Sequence, residues 1–120
     1  MTYQKQIGDI GEKIAADYLL DKGYQLVDNN YTTRYGELDL VALEGGNPVF
    51  VEVKTRTSAA FGTPEASVTP AKLERIQNAA LLWLQVHPEY PDDWRVDVIA
   101  ILLNHGKEVQ DLQHFINVQL

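Results

Sequence analysis

Apolar residues recur at helical spacing near the start of the chain, at Ile7, Ile10, Ile14 and Tyr18, and Gly23 stands where a helix would stop. This spacing predicts a helix over residues 4–22. The pattern then shortens. "YQLVDNNY" (24–31) is a short strand candidate, and "GELDLVALEGGNPVFVEVKTR" (36–56) alternates on either side of "EGGN", which predicts two more strands joined by a turn. Residues 57–68, "TSAAFGTPEASV", are small and polar and are broken by glycine and proline, as in a mobile loop. Thr69 is placed to cap a second helix with Pro70 in its first position. Leu73, Ile76, Ala80, Trp83 and Leu84 form its apolar stripe, which runs to about His87. "WRVDVIAIL" reads as a fourth strand, "NHGK" as a turn and "VQDLQHFINVQL" as a weaker last strand. The antiparallel hairpin rules out an all-parallel sheet, so the order predicts an α/β layer fold, a mixed β-sheet flanked by helices.

Alternation along the hairpin predicts that Leu38, Leu40 and Ala42 share one face and that Glu37, Asp39, Val41 and Leu43 share the other. In the next strand Val49, Val51 and Val53 alternate with Phe50, Glu52, Lys54 and Arg56. A register pairing Leu40 with Val51 closes the turn, and it sets Asp39 opposite Glu52 and Glu37 opposite Lys54. Two carboxylates on facing positions repel each other unless a cation lies between them. Lys54 supplies part of that charge, and a magnesium ion, which takes one or two carboxylates with water and phosphate oxygens, would supply more. The pattern by itself is equally compatible with a functional site and with a structural charge cluster at a sheet end.

The chain has 120 residues, the length of one domain spanning 1–120, with 45% hydrophobic and 22% charged residues, an ordinary globular composition. It has no cysteine, which excludes disulfides and thiolate zinc sites and fits a reducing cytoplasm. No secretion signal is evident, and the longest apolar runs are too short to span a bilayer, so no membrane association is expected. The formal net charge of −7 counts against nucleic-acid binding. The excess is uneven, however. Six acids and two bases in residues 85–120 give −4, against eleven acids and eight bases, −3, in residues 1–84. A divalent ion bound among acids would also invert the local field.

The same hairpin resembles the Asp, then Glu-x-Lys signature of the restriction-endonuclease-like, or PD-(D/E)xK, nuclease superfamily. "IGEKIAADYLLDKGY", "NYTTRYGELDL", "VFVEVKTR", "FGTPEAS", "KLERI" and "RVDVIAI" occur in the order of the YraN-like bacterial family, and the resemblance covers nearly the whole chain. It implies the αβββαβ nuclease core, with archaeal Holliday-junction resolvases as structural relatives. It also implies that Asp39 and Glu52 bind Mg2+, with Mn2+ as substitute, that Lys54 assists the attacking water or stabilises the phosphorane charge, and that Glu12 completes the acidic metal site. The superfamily's proline before the aspartate is replaced by Leu38. The Gln-x-x-x-Tyr signature of RecB-type nucleases is absent, because Gln77 is followed by Leu81.

The residues around these motifs carry two readings each. Gly8, Gly11, Ala15 and Ala16 surround Glu12 and allow close approach by a sheet, which suits a site; the alternative is a solvated Glu12 paired with Lys13. Tyr31, Arg34, Arg56, Lys72 and Arg75 suit contacts to a nucleic-acid backbone or an ordinary solvated surface. Asp97 reads as the partner of Arg95 within the sheet or as a support behind the site. His87, His105 and His114 lack metal-ligand spacing and are assigned no chemistry, and "GDIG" lacks the Lys-Ser/Thr ending of a phosphate loop. The functional expectation is a metal-dependent nuclease hydrolysing phosphodiester bonds in DNA, in branched or structured substrates, with a homodimer as in the resolvase-like relatives. A catalytically inactive nucleic-acid-binding module of the same fold, or a protein-interaction scaffold, are the alternatives.

Overall fold

The computed structural model describes residues 2–57 and 68–119. The predicted loop at 57–68 and the "FGTPEAS" segment therefore fall almost wholly outside the described residues. Helix α1 spans Tyr3–Asp21, capped by the Thr2 hydroxyl, which accepts from the Lys5 N–H. Strands β1 (Gln25–Thr33), β2 (Gly36–Glu44) and β3 (Asn47–Arg56) follow. Helix α2 spans Pro70–Val86, and Thr69 caps it by accepting from the Lys72 N–H. Strands β4 (Arg95–Leu103) and β5 (Val109–Phe115) complete the order. Each predicted element is present, in the αβββαβ order plus one further strand. The last strand stops at Phe115, short of the predicted end.

The five strands lie in sequence order, β1-β2-β3-β4-β5. All neighbours pair antiparallel except β3 and β4, which pair parallel, with α2 as the crossover between them. The β2–β3 turn is Gly45–Gly46, with φ of +59° and +87°, a backbone only glycine adopts freely; it fixes Leu40 opposite Val51, as the alternation predicts.

Each face of the sheet carries one helix. On the α1 side, Ile7, Ala15 and Leu19 pack with Leu40, Ala42, Val49, Val51, Val53, Ile99, Ile101 and Leu103. On the α2 side, Leu73, Ile76, Ala80 and Trp83 pack with Val41, Phe50, Val96 and Leu38. The position of Leu38 corrects the sequence-based assignment, which put it on one face with Leu40 and Ala42. The β1–β2 register runs through Asn29↔Leu40 and Tyr31↔Leu38, and between these pairs Asn30, with φ +50°, lies opposite Asp39. The strand turns over at this step, so Leu38 buries itself under α2. The β2–β3 ladder accordingly ends at Leu40↔Val51, and the expected backbone pairings of Asp39 with Glu52 and of Glu37 with Lys54 do not form.

Helix α1 sits against the far end of β3. A Cβ on Gly11 would lie 2.7 Å from Thr55 Cβ and 2.8 Å from its Cγ2, so only glycine permits this approach. Gly11→Ala should therefore destabilise the protein by about 1–3 kcal/mol through overpacking, against the ~1 kcal/mol that alanine gains over glycine in a helix interior. Urea titration of the single variant and of Gly11→Ala/Thr55→Ala tests this. The second change removes the Oγ1 and Cγ2 contacts but leaves the residue 55 Cβ at 2.7 Å, so it should restore part of the loss, and a more stable single variant would disprove the close contact.

A buried polar network ties β4 to β5. Asp97 is fully buried and accepts from Arg95 Nε (2.9 Å) and Nη2 (3.2 Å) and from the Asn117 N–H (2.9 Å), while His114 Nε2 lies 2.8 Å from it. Tyr18 of α1 reaches the other ring nitrogen of His114 at 3.0 Å. Arg95 also donates to Glu44 (2.7 Å) and to the Tyr24 hydroxyl (3.0 Å). The pairing of Asp97 with Arg95 read from the sequence is thus present, and His114, assigned no chemistry, lies within it. Among the described residues no helix is long and apolar enough to cross a membrane.

Candidate metal centre and adjoining groove

Where β2 leaves β3, the side chain of Asp39 takes over from the ladder: its Oδ2 accepts from the Val53 N–H at 2.8 Å. This bond anchors the carboxylate at the split between the strands. Glu12, on the sheet-facing side of α1 next to the Gly11 contact, approaches from one side, and Glu37 comes from the start of β2. One carboxylate oxygen from each of Glu12, Glu37 and Asp39 lies within 4.8 Å of the other two. Glu12 thus joins the site and does not pair with Lys13, whose ammonium lies 3.4 Å from Asp17.

Asn30 belongs to the same cluster. Its side-chain amide donates to Glu12 Oε1 at 2.9 Å and to Glu37 Oε1 at 3.0 Å. Sequence reasoning missed both Asn30 and the convergence of Glu37. The only signal available was an asparagine, the non-glycine residue that best tolerates positive φ, inside a strand candidate.

Glu52 and Lys54 alternate with Val51 and Val53 and open to the α2 side, where Tyr35, Gly36, Glu37, Glu52, Lys54, Lys72, Arg75, Ile76 and Ala79 line a groove of about 170 Å³. Three bases, Lys54, Lys72 and Arg75, line this groove beside two acids, Glu37 and Glu52. A larger groove of about 560 Å³ lies between α1 and β1, bounded by Glu12, Asn30, Asp28 and Leu40 among others. The acid cluster is where the two grooves meet, since Glu12 belongs to one and Glu37 to the other.

The remaining sequence candidates lie around it. Tyr31 is half-buried against the α2 core. Arg34 is exposed, with its guanidinium 5.0 Å from the centre of the Tyr35 ring and bonded to that hydroxyl at 3.2 Å, and Tyr35 lines the groove on the α2 side. Arg56 ends β3, half-buried, with Leu102 as its neighbour in β4.

The carboxyls behave as crowded, partly desolvated acids. Asp39 is pushed up to about 8 from its ordinary 3.8, first by burial, then by its hydrogen bond to the Glu52 carboxyl and that group's charge, while the Val53 N–H pulls it back. Asp39 and Glu52 are therefore in contact across the split although their backbones do not pair. Burial also raises Glu12, and Asn30 partly offsets this, with Asp39, Glu37 and Asp9 adding repulsion. A cation would relieve all of these repulsions. The all-oxygen donor set fits a hard divalent ion, whose ligand distances of about 2.1–2.5 Å place opposed donor oxygens about 4–5 Å apart.

The family model described as "Uncharacterised protein family UPF0102" matches residues 11–101. A UPF0102 protein of Syntrophomonas wolfei is 46% identical over 94% of this chain and 96% of its own length. A UPF0102 protein of Rhodococcus opacus is 43% identical over 92% and 93%. Among solved structures, a FdxN element excision controlling factor protein from Anabaena variabilis is similar at 15% identity over 87% of this chain and 98% of that chain, with a TM-score of 0.47. The matched region contains every residue of the acid cluster, and on this family match and these identities the chain belongs to the UPF0102 family, the YraN-like family its motifs resemble.

Proposed function

We propose that this protein is a divalent-cation-dependent phosphodiester hydrolase acting on DNA, with branched or structured DNA as its substrate. The observation that carries this reading is the meeting of the Glu12, Glu37 and Asp39 carboxylates at the mouth of a groove lined by Lys54, Lys72 and Arg75. Acids that hold a cation and bases that hold a phosphate backbone are both needed, side by side, for cutting a polyanion. Their adjacency answers the objection from the net charge of −7, because binding depends on the local field.

In this reading Glu12, Glu37 and Asp39 hold Mg2+, with Mn2+ as substitute, and Glu52 joins from the groove side through its contact with Asp39. When bound, such an ion polarises a phosphoryl oxygen and makes water nucleophilic at neutral pH. Lys54, one residue beyond the Val53 N–H that anchors Asp39, stands beside the scissile phosphate and offsets charge developing on it. Lys72, Arg75, Arg34 and Arg56 contact flanking phosphates, and Tyr31 and Tyr35 support that wall.

The test is cleavage of four-way, flapped and single-stranded DNA in Mg2+ or Mn2+ by the wild-type protein and Glu52→Gln. The variant should fold normally and lose about 10²-fold or more of the cleavage rate, the scale set by removing a group that handles a proton or charge in the transition state. Equal cleavage by the variant would sink the assignment.

A further inference from the structure

The Asn30 side chain occupies a place that neither the nuclease signature nor the charge pattern assigns. It donates both amide hydrogens to carboxylates of two different elements, Glu12 on α1 and Glu37 on β2. Its orientation is fixed by a neighbour: the Asn29 side-chain amide donates to Asn30 Oδ1 at 3.0 Å, so the carbonyl faces Asn29 and the NH2 faces the acids. The reverse orientation would set donor against donor and acceptor against acceptor. The backbone is held at φ +50°, opposite Asp39 at the point where β2 turns over, and this conformation aims the side chain into the cluster.

Resting on the cation-site reading above, we propose that Asn30 is the positioning residue of that site, a neutral clamp that gathers Glu12 and Glu37 before an ion arrives. Without it, two carboxylates on separate elements would repel each other and turn outwards, and each would have to be ordered at the moment of binding. With it, that cost is met on folding, because the amide supplies two partial positive charges without adding a net charge. Groups that orient metal ligands in this way typically set affinity by about 10- to 100-fold. The amide need not leave on binding, since each carboxylate has a second oxygen to offer.

The alternative is that Asn30 serves only the positive-φ backbone. Two variants separate the roles. Asn30→Gly keeps the backbone conformation without strain and removes the clamp; Asn30→Asp keeps the size and replaces the donors by a fourth carboxylate. Mn2+ binding is followed by paramagnetic broadening of amide signals and by thermal shift, with no nucleic acid present. Asn30→Gly should retain the wild-type spectrum outside the cluster and bind Mn2+ about 10- to 100-fold more weakly. Asn30→Asp should melt lower than wild type without metal and show a larger Mn2+-induced shift, because the added repulsion is what the ion relieves. A folded Asn30→Gly with undiminished affinity, or an Asn30→Asp with the wild-type shift, would overturn the clamp while leaving the cation site standing. Absence of saturable Mn2+ binding by the wild-type protein would overturn the cation site, and the clamp with it.

Discussion

Replacing Asp97 by alanine should remove about 3–5 kcal/mol of stability, the usual consequence of taking one partner from a buried charge pair. The carboxylate is wholly buried and accepts from Arg95 twice and from the Asn117 N–H, with His114 within hydrogen-bond distance. The variant would leave the Arg95 guanidinium with Glu44 as its one counter-charge among the described residues, and Glu44 is half exposed. It would also strand the Asn117 N–H and unlock the ring that Tyr18 touches. Against a typical domain stability of about 5–15 kcal/mol, such a loss places the variant near its folding limit. Chemical denaturation at neutral pH measures it. His114→Ala should cost less, because Arg95 still holds Asp97. A loss below about 1 kcal/mol for Asp97→Ala would show that the network is decorative.

The second large effect links the acid cluster to pH. A carboxyl pushed up to about 8 from 3.8 holds its proton far more tightly in the folded state than in the unfolded chain. The stability it contributes is present in full below about pH 4 and is lost as the pH rises through about 8. Cation-free protein should therefore weaken over this range. A divalent ion that replaces the proton reverses the trend, and its affinity should fall about tenfold for each pH unit below 8 as the proton competes. Thermal unfolding at one fixed Mn2+ concentration, chosen to saturate the protein at pH 8.5, should show almost no shift near pH 5.5 and about 3–10 °C near pH 8.5. Asp39→Asn should abolish both the shift and its pH dependence. A shift that is equal at the two pH values, or that survives in Asp39→Asn, would exclude Asp39 as the ion's anchor.

These two sites were unequally legible in the sequence. The charges of the cluster stood out because Asp39, Glu52 and Lys54 interrupt strands that are otherwise apolar. The network around Asp97 was only half visible: Arg95 lies two residues away on the same strand, but His114 and Tyr18 come from β5 and α1, and no local spacing connects them.

The sequence by itself determined the elements and their order. Helical periodicity in α1 and α2, strand alternation, the Thr2 and Thr69 caps and the Gly45–Gly46 turn are local properties, each set within a few residues of chain. The turn alone was enough to place Leu40 opposite Val51. Only the tertiary structure decided which carboxylates meet. Alternation assumes an unbroken strand, but β2 turns over at Asp39, so that Leu38 is buried under α2 and Leu40 under α1, and Asn30 accommodates the turn with a positive φ. That step ends the ladder, frees the Val53 N–H for the Asp39 carboxylate, and carries Glu37 towards Glu12, whose helix is admitted by the missing side chain of Gly11. The sharing of one strand between two hydrophobic cores has no signature in any short stretch of sequence, and it is this sharing that brings the carboxylates together.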